Sequence, residues 1–311
     1  MNSHLQVEGP PRPSTPVSSS IRPPRSRRIS LGVLLVAPIV IYLLLAQAYP
    51  LGSALYTSLT DKRIGSEGTF IGLKNYADLA NEPLFWRAVR NSIMFTFGAI
   101  IFKFVFGMAM ALVLNQPLIF RNLWRALLFI PWTIPTIITV LTFGWMYSPT
   151  GGVLNYLLLK AGLIDFPIDW LGRPTNALIS VIIVNIWRGT PFFGISLLGG
   201  LQAIPNELYE AAQIDGANRI QQFFHITLPS IRGVAILVTL VSTIWTLNDF
   251  QIIWVLTRGG PANSTQVFST LTYTEAFLNL DLGQAIAVSA AAIPILMILI
   301  GWVTTTVLSR E

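Results

Sequence analysis

Apolar runs at about residues 31–55, 92–114, 126–147, 177–198, 233–256 and 282–308 divide the chain, with polar stretches between them. Each is long enough to cross a bilayer as a helix, which takes about 20 residues at 1.5 Å per residue. Prolines fall inside four of them: Pro38 and Pro50, Pro131 and Pro135, Pro191, and Pro294. Spanning helices tolerate proline where neighbouring groups satisfy the freed carbonyls. The pattern predicts an all-α integral membrane protein with six transmembrane helices. Even parity puts both termini on one side.

The polar stretch at 205–229 has a pattern of its own. Asn206 is placed to cap a helix starting at Glu207, with Leu208, Ala211 and Ala212 on one face. Asp215-Gly216 reads as a stop, because glycine accepts the backbone angles that end a helix. A second short helix follows from Ala217 to about Phe224, and Pro229 closes it. Asp215 is either a cap for that helix or a contact for a partner. A shaped helix–bend–helix between two spans suits docking better than a slack linker.

Composition agrees with the membrane reading. The chain is 53% hydrophobic and 11% charged, against about a quarter charged in soluble domains. The net charge of +6 is spread out, and no basic patch interleaved with aromatics points to nucleic acid. With no cysteine, disulfides, thiolate catalysis and cysteine-based metal sites are excluded. No GxxxxGK[ST] phosphate loop is present. His4 and His225 stand apart and make neither a metal site nor a triad. Catalysis and metal binding have no visible home here, so the chain reads as a non-enzyme.

Residues 1–30 are rich in Pro, Ser and Arg and read as a disordered basic tail. Arg12, Arg22, Arg25, Arg27 and Arg28 against Glu8 favour a cytoplasmic N-terminus. Ser26-Arg27-Arg28 resembles a twin-arginine signal, and Ala46-Gln47-Ala48 a cleavage site. Continuation of the first apolar run beyond Ala48 argues for a retained helix. Loops 115–125 and 202–232 then face the cytoplasm, and loops 60–90, 148–176 and 257–281 face outward. The first outward loop is balanced in charge, so orientation rests on the tail and on loop 202–232. Outside, Ser148–Gly152 is a turn cluster, 153–161 a short amphipathic helix, Trp170 an interfacial aromatic, and Gly259-Gly260-Pro261 an obligatory helix break.

Glu210-Ala211-Ala212, Gly216, Ile226 and Leu228-Pro229, at that spacing, resemble the EAA loop of ABC-importer permeases. The resemblance implies a type I importer fold in which this cytoplasmic loop seats a coupling helix in an ATPase subunit. Glu210, Ala211, Ala212, Asp215, Gly216 and Ala217 would form that contact. Leu256-Thr257, Gly259-Gly260-Pro261, Thr265 and Tyr273…Ala276-Phe277 are similar to the carbohydrate-uptake branch, of the larger maltose-transporter permease type. Gly259, Gly260 and Pro261 would then face an extracytoplasmic binding protein. The likeness covers about residue 31 to the end, implying one six-span domain over 31–311.

Polar residues inside spans are costly and mark function by default. Asn185, Trp187 and Arg188 lie in the fourth run; Trp245, Asn248, Asp249 and Gln251 lie in the fifth. Spacing of three and four puts Trp245, Asn248 and Asp249 on one helical face. A sugar needs an aromatic surface for its C–H groups and amides or carboxylates for its hydroxyls. By the resemblance, Asn248 or Asp249 marks a midplane site; the alternative is an Arg188–Asp249 pair bracing two helices. Lys103 is expected to snorkel or pair rather than meet substrate.

The implied function is the permease subunit of an ATP-driven sugar or oligosaccharide importer in a bacterial inner membrane, with both termini cytoplasmic. Its partners would be a second permease, an ATPase dimer carrying ATP and Mg²⁺, and the binding protein. This chain would hold no cofactor. Glycerol-phosphate or polyol uptake is the nearest alternative, and an anionic substrate would ask Arg188 to face the pathway. A self-contained secondary transporter is the rival class, but no internal repeat is visible.

Overall fold

The computed structural model describes residues 31–308; the 1–30 tail, expected to be disordered and cytoplasmic, lies outside them. The chain divides near Pro50 into two units, and α1 (Leu31–Thr57) runs through the division. The second unit continues with α2 (Lys74–Asn81), α3 (Pro83–Leu114), α4 (Arg121–Thr133), α5 (Thr136–Met146), α6 (Val153–Lys160) and α7 (Pro174–Gln202). The short helices α8 (Asn206–Ile214), α9 (Arg219–Gln222) and α10 (Leu228–Ser230) fill the next connection. Then come α11 (Arg232–Leu247), α12 (Gln251–Thr257), α13 (Phe268–Tyr273), α14 (Leu282–Ala291) and α15 (Ile293–Leu308).

Among the described residues, α1, α3, α7 and the α11–α12 segment are long and apolar enough to cross a bilayer. The α4–α5 pair makes a fifth span if it is taken as one, bent by 86°. The sequence pattern predicts one span there, kinkable at Pro131 and Pro135. Ile134 is extended, at ψ 131°, because a residue before proline is pushed out of the helical region. The sixth run is divided at Ala292 into α14 and α15, of 10 and 16 residues. The fifth run is interrupted too. Helix α11 stops at Leu247, and α12 starts at Gln251.

The two faces of α3 show what solvent the helix is built for. Ala88, Phe95, Ala99, Gly107, Ala111 and Leu114 are buried, whereas Ile93, Phe97, Ile101, Phe102 and Val105 are exposed. An apolar outer face suits lipid, which offers no hydrophobic drive for helix association. Close packing between helices must supply it. Along the α3–α7 seam, glycines let the backbones approach. A Cβ on Gly107 would collide with Phe193 Cβ, and one on Gly194 would lie 2.6 Å from Met110 Cε.

A second cluster gathers Phe95, Val140, Tyr147, Val181, Ile252 and Ile253. The Tyr147 hydroxyl donates to the Ser180 carbonyl at 3.1 Å. The expected short helix at 153–161 appears as α6. Trp170 packs on Tyr147, with centroids 5.6 Å apart, and its indole N–H donates to Asn155 Oδ1 at 3.1 Å. Trp170, expected as an interfacial aromatic, is tied into this cluster.

Gly107→Val should lower the melting temperature of the detergent-purified protein, with a cost of about 1–3 kcal/mol from overpacking. Gly199→Ala, in the same helix α7 with nothing within 4 Å of the new Cβ, should leave it unchanged or raise it slightly, as alanine favours the helix. Equal melting for both variants would refute the close-seam account.

Candidate functional site

A cavity of about 270 Å³ opens between α3, α4, α7 and α11. Lys103, Trp132, Asn185, Arg188, Ser242, Trp245, Thr246 and Asp249 line it. Its aromatic wall is a triad: Trp132 and Phe192 stack at 5.1 Å, Phe192 and Trp245 meet at 5.0 Å, and Trp132 and Trp245 at 5.5 Å. The Arg188 guanidinium carbon sits 5.5 Å from the centre of the Trp132 ring. Across the cavity, Lys103 Nζ donates to Thr246 Oγ1 at 2.9 Å. Lys103 is only 3% exposed. It has room because Gly189 has no side chain: a Cβ there would lie 2.6 Å from Lys103 Cε.

The break in the fifth run positions Asp249. Asn248 ends α11 and its amide donates back to the Ile244 carbonyl at 2.8 Å. Asp249 Oδ1 accepts from the Ile252 backbone N–H at 3.2 Å, capping the start of α12. Its Oδ2 accepts from Asn185 Nδ2 at 2.9 Å. The Asp249 carbonyl accepts from the Ser269 hydroxyl at 2.8 Å, which ties the break to α13.

Several expectations change on this geometry. The face shared by Trp245, Asn248 and Asp249 does not form, because the chain leaves the helix between them. Trp245 and Asp249 line the cavity, whereas Asn248 does not. No Arg188–Asp249 ion pair forms; among the described residues the only ion pair is Arg63–Asp281, at 3.8 Å. Lys103 does not snorkel but turns inward. Trp187 faces away, packing edge-on against Phe143 at 5.4 Å in an apolar groove beside Pro191. Gln251 is exposed.

The loop after α7 is a hairpin of short helices. Asn206 is the first residue of α8 rather than its cap; Pro205 takes that place. Asp215 and Gly216 end α8 with two bonds, Gly216 N–H to Gln213 O at 3.0 Å and Ala217 N–H to Ala212 O at 2.8 Å. This is the Schellman arrangement, and it puts Gly216 at φ +80°. The second helix is shorter than expected and is capped by Asn218 with Gln221, not by Asp215. Asn218 wins because Gln221, three residues on, returns the bond. A π-helical turn, Phe223–Thr227, continues it, and Pro229 lies inside α10 rather than ending the segment.

The Tyr209 and Thr227 hydroxyls meet at 2.9 Å and clasp the hairpin. Tyr209, Phe223 and Ile226 pack onto the cluster of Ala111, Leu114, Leu197 and Ile231. Glu210, Ala211, Asp215 and Gly216 stay exposed and Ala212 and Ala217 half-buried, beside exposed Ile214, Ile220 and Phe224.

At the other end of α3, the 258–267 segment is stapled to that helix. Arg258 and Gly259 take left-handed angles, and Gly260-Pro261 is cis. Arg87 donates to the Ala262 carbonyl at 2.8 Å. Asn91 donates to the carbonyls of Asn263 and Gln266 at 3.2 and 3.0 Å. The Ser92 hydroxyl accepts from the Phe268 N–H at 3.0 Å. The helix break expected at Gly259-Gly260-Pro261 is therefore a built corner. A Cβ on Gly259 would collide with Gln266 Oε1.

Residues 103–310 match the family described as "Binding-protein-dependent transport system inner membrane component". The chain belongs to that family. This permease is 37% identical over 265 residues to the trehalose/maltose transport system permease protein MalF of Thermococcus litoralis, covering 85% of this chain and 88% of the relative. It is 35% identical to the sulfoquinovosyl glycerol transport system permease protein SmoG of Agrobacterium fabrum, covering 83% and 84%. Its fold matches a chain of the bacterial alginate ABC transporter solved with an alginate pentasaccharide-bound periplasmic protein. The TM-score is 0.75 at 23% identity, covering 88% of the permease and 92% of that chain.

Sequence reasoning did not place Trp132, Gly189, Ser242 or Thr246 at the cavity. Trp132 follows Pro131 in the helix that leads into the 86° bend, which was a usable signal. Gly189 and Thr246 gave none, because a small residue in a span reads as packing.

No atom lies within 4 Å of where a Cβ on Gly216 would stand, so its requirement is the backbone angle alone. Gly216→Ala should cost about 1–2 kcal/mol in loop stability, and Gly216→Asn less. Faster hydrogen exchange at the Ala217 amide in that order is the expected readout; no difference from the parent would remove the angular constraint.

Proposed function

We propose that this permease is the membrane subunit of an ATP-driven importer that moves a sugar or oligosaccharide delivered by an extracytoplasmic binding protein. The observation that carries the substrate class is the cavity, where an aromatic wall of Trp132 and Trp245 faces Asn185, Arg188 and Asp249 inside the spans. That pairing of flat apolar surface with polar groups suits a pyranose. The trehalose/maltose and sulfoquinovosyl glycerol transport systems named for the relatives support it.

In this reading the α8–α9 hairpin is the coupling element on the cytoplasmic side. It seats on a separate ATPase that carries ATP and Mg²⁺. Exposed Ile214, Ile220 and Phe224 give it apolar contact, and Glu210 gives it a carboxylate for an arginine of the partner. A second, similar permease completes the pathway. The corner at Gly259, Gly260 and Pro261 lies on the outer side and receives the binding protein. Residues 31–311 act as one permease domain in a bacterial inner membrane, with both termini cytoplasmic.

The test is co-purification of the tagged chain from its native membrane in mild detergent, followed by ATP hydrolysis with and without loaded binding protein. An ATPase and a second permease should co-purify. Gly216→Pro, which removes the N–H bonded to Gln213 and fixes the wrong φ, should abolish substrate-stimulated hydrolysis while the subunit still inserts. Trp245→Ala should lower uptake by about two- to tenfold with assembly intact, the scale of losing one aromatic stacking contact. A chain that purifies alone and transports in liposomes without ATP would overturn the proposal.

A further inference from the structure

We infer that the cavity is built for an acidic sugar, one whose carboxylate, sulfonate or phosphate group is held between Lys103 and Arg188. The inference rests on the sugar-importer reading and narrows its substrate.

The charges in the cavity do not cancel. Its ionisable lining groups are Lys103, Arg188 and Asp249. By formal charge, two basic side chains stand against one carboxylic acid. Inside a membrane an uncompensated charge is costly and persists where something answers it. Asp249 does not answer both cations. One of its oxygens is taken by Asn185 and the other by the Ile252 N–H. Neither cation lies within 4.0 Å of it as an ion pair. The carboxylate is committed to holding α7 against the start of α12.

The cations keep donors free. An ammonium has three N–H donors, and Lys103 directs one at Thr246 Oγ1. Arg188 rests on the face of Trp132, and its Nε is buried with no hydrogen-bond partner. A guanidinium presents a planar fork that matches carboxylate and phosphate oxygens. Asn185 Oδ1 is the complementary orphan, a buried acceptor without a partner. It suits a sugar hydroxyl beside the acidic group. Unsatisfied buried polar atoms are rare in native folds and call for an explanation; two of them, Arg188 Nε and Asn185 Oδ1, belong to side chains that line this cavity.

Shape agrees with charge. Gly189 forms a notch in α7, and the Lys103 stem lies in it. The notch carries the ammonium from α3 past α7 to the α11 side of the cavity. A lysine wanted only for solvation needs no such passage. The cavity, at about 270 Å³, lies just below the ~300–1,000 Å³ that holds a drug-sized ligand. It takes one charged sugar unit, with any further units outside it.

The test uses the co-purified complex and matched pairs of acidic and neutral sugars: glucuronate with glucose, galacturonate with galactose, mannuronate with mannose. Thermal stabilisation of the complex and stimulation of its ATPase are read for each. One acidic member should act at about tenfold lower concentration or better than its neutral match, as expected for hydrogen bonds to a charged group. Arg188→Gln and Lys103→Gln should each erase that preference, and Arg188→Lys should retain part of it. Arg188→Gln leaves no hydrogen bond of the fold broken at Nε, so it carries the test if the Lys103 variant fails to assemble. Neutral sugars acting as well as acidic ones would overturn the inference while leaving the importer reading intact. Sulfate alone giving the full shift would also overturn it, marking an inorganic anion site. No response to any of these sugars would overturn the inference and leave the importer reading to the co-purification test.

Discussion

The close approach of α3 and α7 decides where the rest of the second unit can go. Gly107 lets the two backbones approach where a Cβ would collide with Phe193, and Gly189 and Gly194 make room for the Lys103 and Met110 side chains. In lipid this is the kind of contact that holds helices together, because water is not there to press them into a bundle. Once α3 and α7 are fixed, α4 is laid across α7 with Trp132 on Phe192, and α11 reaches α3 through the Lys103–Thr246 bond. The cavity is what remains between those contacts.

The second constraint is backbone satisfaction at membrane depth. The interruption at Asn248–Phe250 frees polar groups that lipid cannot meet. Side chains meet several of them: Asp249 caps the next helix, and Ser269 takes the Asp249 carbonyl. The same residues that repair the broken helix thereby form one edge of the cavity. A repaired break is an economical way to bring a carboxylate and a bare turn beside a pathway, since both arise from one departure from helical geometry.

Much of this was legible in the sequence. The apolar runs are helical, and Gly216 ends α8 as its spacing with Asp215 implied. What stayed hidden depended on contacts between distant residues. Hydrophobic periodicity runs straight through Ile134 and Asn248, so it carries no mark of an 86° bend or of a lost turn. Lys103 read as a side chain that would snorkel or pair, with no partner visible because its sequence neighbours are all apolar. Its real surroundings come from Gly189 and Thr246, 86 and 143 positions away. Asp215 read as a possible cap for the second helix, and the structure gives that place to Asn218, whose third neighbour Gln221 reciprocates.

One helix touches both ends of the second unit. Near its start, α3 is bonded to the 258–267 corner through Arg87, Asn91 and Ser92. Near its end, Ala111 and Leu114 pack beneath the α8–α9 hairpin. Between them it has no proline beyond Pro83. Thirty-two residues at 1.5 Å each make a rod about 48 Å long, with no built-in hinge of the proline kind. In the proposed reading one stiff helix therefore links the outer corner to the coupling hairpin, and Lys103 lies on it between the two.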